Sequence, residues 1–96
     1  MEREQILLAL ANLKPELIGR YPLKKIGIFG SLARNVHSER SDIDIVVELD
    51  NPNMFDLIGI KQEIEENLNC PVDIVRYRET MSDYLKQRID NDALYV

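Results

Sequence analysis

Residues 28–44 read IFGSLARNVHSERSDID, and this stretch decides how the chain folds. The apolar run Lys24 to Phe29 (KKIGIF) ends at Gly30, which is typical of a buried strand that enters a sharp turn. Ser31 follows as the candidate N-cap of a helix that begins with LAR. Residues 42–49 (DIDIVVEL) alternate and then become apolar, as expected of a central strand whose first half lies at an open site. The stretch therefore predicts a strand, a turn, a short helix, a loop and a second strand.

The flanking sequence predicts further helices and one more strand. Apolar residues at helical spacing indicate helices over Glu2 to Leu13 and Met54 to Leu68. Pro15 is expected to open a separate short turn, because proline is unfavourable inside a helix. Val72 to Val75 (VDIV) indicates a third strand, and Ser82 to Ile89 a last helix capped by its own serine. This order, α-β-α-β-α-β-α, predicts an α/β fold in one domain spanning residues 1–96.

The composition argues against several classes of function. A chain of 96 residues buries one modest core, so a large substrate would have to be held by a partner. Twelve basic and seventeen acidic residues give a formal charge of -5, which argues against direct nucleic-acid binding. The single cysteine, Cys70, permits no intrachain disulfide. With neither a recognisable leader nor an apolar run of roughly 20 residues, we expect a cytoplasmic protein that binds no membrane.

Three aspartates form the candidate catalytic site. Residues two apart on a strand share a face and lie roughly 6.6 Å apart, so Asp42 and Asp44 are predicted to project side by side. Asp73 lies inside the apolar strand VDIV and would share that face if the two strands are neighbours. Carboxylate oxygens suit Mg²⁺, and pairs of divalent ions about 4 Å apart occur in phosphoryl-transfer sites. The alternative is that the aspartates only line the solvent face of half-exposed strands.

Gly30 and Ser31 form the candidate phosphate site. Glycine lets the backbone approach a ligand closely, and a helix that starts at Ser31 would direct N–H groups and its positive dipole end at that ligand. Gly-Ser also occurs in plain turns with an N-cap, which is the alternative interpretation. Ten residues separate Gly-Ser from the Asp-x-Asp motif, and this spacing in a strand, helix, strand setting is much more specific than either part.

These motifs together resemble the nucleotidyltransferase superfamily that includes DNA polymerase beta. The GS at 30–31, the DID at 42–44 and the later VDIV carry the likeness. The longer runs KKIGIFGSLAR, SDIDIVVEL, PVDIV and RIDNDALYV resemble the minimal nucleotidyltransferases, the MntA-like antitoxins paired with HEPN-domain toxins, over nearly the whole chain. The resemblance implies a small mixed β-sheet of three to four strands with flanking helices.

The resemblance also implies an activity and the residues that carry it. Proteins of this type transfer AMP from ATP to a tyrosine hydroxyl of the HEPN partner and so inactivate its ribonuclease. By position, Asp42 and Asp44 would hold two Mg²⁺ ions, and Asp73 would complete the ion that activates the hydroxyl. Gly30 and Ser31 would hold the triphosphate.

Arg34 and Asn35 complete the motif with less defined roles. Arg34 would pair with phosphate or with a site carboxylate, and the alternative is an ordinary salt bridge on a helix surface. Family members usually have glycine where this chain has Asn35, and asparagine tolerates the same left-handed backbone.

Two other functions stay open at this point. One is an antitoxin that only binds and occludes its partner without turnover. The other is nucleotidyl transfer to a small molecule, which in such relatives uses an additional domain that this chain lacks. We expect Tyr77, Tyr84 and Tyr95 to serve in the core or at a partner interface, and His37 to lie in an exposed loop.

Overall fold

The computed structural model describes residues 2–36, 42–51 and 53–96, and the prediction for His37 falls outside these ranges. The elements, in chain order, are α1 (Arg3–Arg20), β1 (Leu23–Phe29), α2 (Gly30–Ala33), β2 (Ile43–Leu49), α3 (Met54–Leu68), β3 (Val72–Arg76), α4 (Asp83–Asp92) and β4 (Leu94–Tyr95). The expected α/β fold with a mixed sheet of three to four strands is confirmed, although the position of the fourth strand, β4, was not predicted.

The four strands form one mixed sheet in the order β3-β2-β1-β4. Strand β1 runs antiparallel to both β2 and β4, whereas β2 and β3 are parallel and are connected through α3. A parallel pair needs such a crossover, because a tight hairpin can join only antiparallel strands.

Helices α1 and α3 cover one face of the sheet. Ile28 on β1 and Ile45 on β2 are fully buried there against Leu10 of α1 and Ile64 of α3. Burial of a large aliphatic side chain contributes about 1.5–3 kcal/mol, so this face supplies most of the core.

Pro15 lies inside α1, which contradicts the prediction of a separate turn after Leu13. The apolar spacing continues past the proline, and Leu13 and Leu17 are both buried against the sheet. Pro15 itself is exposed, so its ring points away from the packed side of the helix. The burial of Leu17 therefore keeps one continuous helix despite the hydrogen bond that proline cannot make.

Helix α4 packs on the opposite face of the sheet in a smaller cluster. Phe29, Val46, Met81 and Ile89 are buried there. Ser82 caps α4 as predicted, since its Oγ accepts a hydrogen bond from the Leu85 N–H at 3.2 Å.

None of the helices in the described ranges is both long and apolar enough to span a bilayer.

Candidate active site

The strand register brings two of the predicted aspartates together. Asp44 on β2 pairs with Asp73 on the parallel strand β3 and with Phe29 on the antiparallel strand β1. Paired residues point to the same face of a sheet, and Phe29 belongs to the cluster under α4. Asp44 is half-buried and Asp73 is exposed. The two carboxylates therefore lie side by side on the α4 face, where β2 and β3 begin and β1 ends.

Asp42 is exposed and directly precedes β2. Within the described ranges, no group of three or more Asp, Glu, His or Cys side chains is arranged to hold a metal ion. The structure thus places Asp44 beside Asp73, and it does not gather all three predicted aspartates into one cluster.

The donor chemistry of this pair fits Mg²⁺. The ion binds oxygen ligands, and in phosphate sites it often takes only one or two protein carboxylates while water and substrate phosphates fill its other positions. Asp44 and Asp73 would supply two such carboxylates from neighbouring strands. Asp42 is a further carboxylate directly before β2, at the same end of the strand as Asp44.

Gly30 shapes the floor of the site through its missing side chain. Its φ of 72° lies in the left-handed region, and a Cβ added here would overlap the Asp44 carboxylate. The same Cβ would lie 3.2 Å from Nη2 of Arg88. Only glycine allows the end of β1 to approach both charged groups so closely.

Ser31 is not the N-cap that the sequence predicted. Helix α2 begins at Gly30, and Phe29 occupies the N-cap position with no side-chain cap. The helix has four residues, so its dipole is far smaller than that of a long helix. Its contribution to anion binding would come from the backbone N–H groups of its opening turn.

Arg34 pairs with a carboxylate outside the predicted set. Its Nε lies 3.6 Å from Oδ2 of Asp92 on α4 and donates to the Gly30 carbonyl at 3.4 Å. The predicted alternatives included such a surface salt bridge, and the pairing fixes α2 against α4. Asn35 has a φ of 62°, which confirms the expected left-handed backbone after the arginine.

Arg88 is the site residue that the sequence interpretation missed. Its guanidinium Cζ lies 6.0 Å from the ring centre of Phe29 and 5.9 Å from that of Tyr84. The side chain is half-buried beside Gly30. The available signal was helical spacing, because Tyr84 and Arg88 are four residues apart on one face of the capped helix α4.

Comparison with known proteins identifies the family of this chain. The model of the nucleotidyltransferase domain matches residues 10–96 of the chain. The chain belongs to the nucleotidyltransferase domain family. The expected enzyme class, a nucleotidyltransferase, is thereby confirmed.

Individual relatives of this nucleotidyltransferase cover most of its length. A Methanocaldococcus jannaschii protein named "putative protein adenylyltransferase" is 36% identical over 84 residues, which are 86% of each chain. Protein adenylyltransferase MntA of Thermococcus cleftensis is 30% identical over 94 residues, 97% of this chain and 94% of MntA.

Solved structures confirm the fold of this nucleotidyltransferase. One described as a "putative minimal nucleotidyltransferase" has a TM-score of 0.79 and 27% identity, covering 98% of this chain and 95% of that one. An MNT antitoxin complex with a tri-AMPylated Shewanella oneidensis HEPN toxin has a TM-score of 0.69 and 23% identity, covering 97% of this chain and 70% of the matched one. The second likeness is one of fold.

Proposed function

We propose that the chain is a Mg²⁺-dependent protein adenylyltransferase of the cytoplasm. It transfers AMP from ATP to a tyrosine hydroxyl of a HEPN-domain toxin and acts as the antitoxin of that protein. The observation that carries the proposal is the pairing of Asp44 with Asp73 on one sheet face, directly beside Gly30.

The relatives support a protein as the acceptor. The Thermococcus cleftensis relative is named a protein adenylyltransferase, and the match to this chain covers 94% of its length. The Shewanella oneidensis complex, related to this chain in fold, holds an AMPylated HEPN toxin.

The reaction follows from the charges at the site. The tyrosine oxygen attacks the α-phosphorus of ATP, the new phosphorus–oxygen bond forms, and the bond to the β-phosphate breaks to release pyrophosphate. Asp73, the more exposed carboxylate of the pair, accepts the phenolic proton or orients the hydroxyl towards the α-phosphorus. Asp44 lies deeper, between Phe29 and Asp73, and holds the nucleotide end of the site in place.

Bound Mg²⁺, in one or two ions, would neutralise charge on the phosphates and on the attacking and leaving oxygens. Asp44 and Asp73 would hold it, with Asp42 as a further oxygen ligand. Gly30 and Ser31 would receive the triphosphate at the opening turn of α2.

The test is AMP transfer with purified proteins. The chain, its HEPN partner, MgCl₂ and ATP labelled at the α-phosphate are mixed, and label on the partner is located by mass spectrometry. We expect AMP on a partner tyrosine with the wild type and no transfer with Asp42→Ala plus Asp44→Ala. Wild type that transfers no AMP, or a double variant that transfers at the wild-type rate, would contradict the proposal.

Toxin neutralisation separates turnover from occlusion. Ribonuclease activity of the partner is measured with the wild type and with the triple variant in which Asp42, Asp44 and Asp73 are alanine. We expect the triple variant to leave the ribonuclease active. Full neutralisation by the triple variant would favour an antitoxin that acts by binding alone.

A further inference from the structure

Arg88 of helix α4 lies beside the candidate active site. Nη2 of Arg88 and Oδ2 of Asp44 both approach the point where a Gly30 Cβ would lie. Arg88 is therefore beside the turn that follows β1 and near the Asp44 carboxylate. No sequence motif singled out this residue.

Two aromatic rings fix the position of the Arg88 guanidinium. Phe29 approaches from the sheet and Tyr84 from one turn earlier on α4, each about 6 Å from Cζ. Phe29 is buried, whereas Tyr84 is 73% exposed. Arginine carries five N–H donors in a planar fork that matches phosphate oxygens, and contact with ring faces restrains the side chain before a ligand arrives.

The negative charge at the site would oppose polyphosphate binding without a nearby protein cation. Asp42, Asp44 and Asp73 lie at or near the strand ends, and the whole chain has a formal charge of -5. A polyphosphate would meet this negative field unless a protein cation accompanies the metal. Arg34, which follows the same turn, is directed to Asp92.

We propose that Arg88 binds the β- and γ-phosphates of the nucleoside triphosphate and then the pyrophosphate that leaves. This inference rests on the proposed function and adds a binding residue to it. The alternative role is structural: Arg88 would only neutralise Asp44 and hold its carboxylate in place. The two roles differ because a polyphosphate contact depends on the length of the phosphate chain, whereas positioning of Asp44 does not.

The test compares the binding of two nucleotides by the purified chain, without any partner. Dissociation constants for AMP-PNP and for AMP are measured by calorimetry and displacement in the presence of MgCl₂. A lost charge-assisted contact predicts that Arg88→Ala weakens AMP-PNP by about 10- to 100-fold and AMP by less than about 3-fold. Arg88→Lys keeps the charge without the fork and should fall between the wild type and Arg88→Ala.

Lys86→Ala is the matched control on the same helix. Lys86 also lies over an aromatic ring, 6.0 Å from the centre of Tyr77, but it pairs with Glu79 rather than with the site. Lys86→Ala removes the same positive charge from α4 as Arg88→Ala but leaves the site untouched. The AMP-PNP affinity of Lys86→Ala should therefore stay within about 2-fold of the wild type.

Three outcomes would overturn the role of Arg88. They are an unchanged AMP-PNP affinity in Arg88→Ala, an equal loss for AMP-PNP and AMP, and a wild type that binds no AMP-PNP. Thermal unfolding of each variant shows whether the helix is intact, and Arg88→Lys carries the test if Arg88→Ala does not fold. The assay contains no acceptor, so a chain that shows Arg88-dependent binding but adenylylates no partner contradicts the proposed function alone.

Discussion

At the scale of single residues, the site depends on the absence of a side chain at Gly30. Gly30 has a left-handed backbone, and the Asp44 carboxylate occupies the space that a Cβ at this position would need. The sequence identified Gly30, Asp44 and Asp73 because their spacing is local and the strand period is fixed. It did not identify Arg88, because helical spacing relates Arg88 only to Tyr84, whereas the approach of Arg88 to Gly30 joins residues 58 positions apart.

Gly30→Ala is expected to damage both stability and activity. A side chain at positive φ costs about 1–2 kcal/mol, and the added methyl group must displace the Asp44 carboxylate. Urea unfolding should show the loss in the free energy of unfolding, and AMP transfer should fall with it. Gly19→Ala is the control, since nothing lies within 4 Å of its Cβ position in α1. Equal stability for wild type and Gly30→Ala would refute this account of the turn.

At the scale of elements, tertiary packing overrode one local rule. Proline predicts a helix end, but α1 continues to Arg20 because the stripe through Leu13 and Leu17 packs on the sheet. Most other boundaries were predictable from periodicity, and α3 spans Met54–Leu68 as expected. The strand β4 was not predictable, because two residues are too few to show an alternating pattern. It is defined by its pairing with Gly27 and Ile28 of β1.

Pro15→Ala is expected to stabilise the protein. Proline in a helix interior costs about 3 kcal/mol relative to alanine, whereas its restriction of the unfolded chain returns about 0.4–1 kcal/mol. The helical cost is larger, so the free energy of unfolding should rise by about 2 kcal/mol in urea titrations. Glu16→Ala, at the exposed neighbouring position, should change it by less than about 0.5 kcal/mol. A less stable Pro15→Ala variant would show that the proline fits a local distortion of α1.

At the scale of the whole molecule, several groups hold their protons more tightly in the folded state. Burial raises the pKa of the Tyr21 hydroxyl, the Cys70 thiol and the Tyr95 hydroxyl. Hydrogen bonds raise the pKa of Tyr77, through Asp90, and of Lys86, through Glu79. A raised folded-state pKa contributes stability below the unfolded pKa, and that contribution is lost as the pH rises.

The protein should therefore lose stability under alkaline conditions. The ordinary pKa values of these groups run from 9.0 for cysteine to 10.5 for lysine. The unfolded chain loses protons first above about pH 9, so the urea midpoint should fall steadily between pH 8 and pH 11. Added NaCl separates this effect from general repulsion in a chain of net negative charge, because salt screens long-range repulsion more than it changes the desolvation and the hydrogen bonds that raise these pKa values. A midpoint that is constant up to pH 11 would be inconsistent with these raised pKa values.

The account as a whole depends on the pairing of Asp44 with Asp73 across parallel strands. Asp73 is exposed, so Asp73→Asn removes a charge without removing packing. The most direct test is the single-turnover rate of AMP transfer by Asp73→Asn, measured beside its affinity for AMP-PNP. The account predicts that transfer falls at least about 100-fold, while AMP-PNP affinity changes by less than about 5-fold. Transfer at the wild-type rate by Asp73→Asn would contradict it.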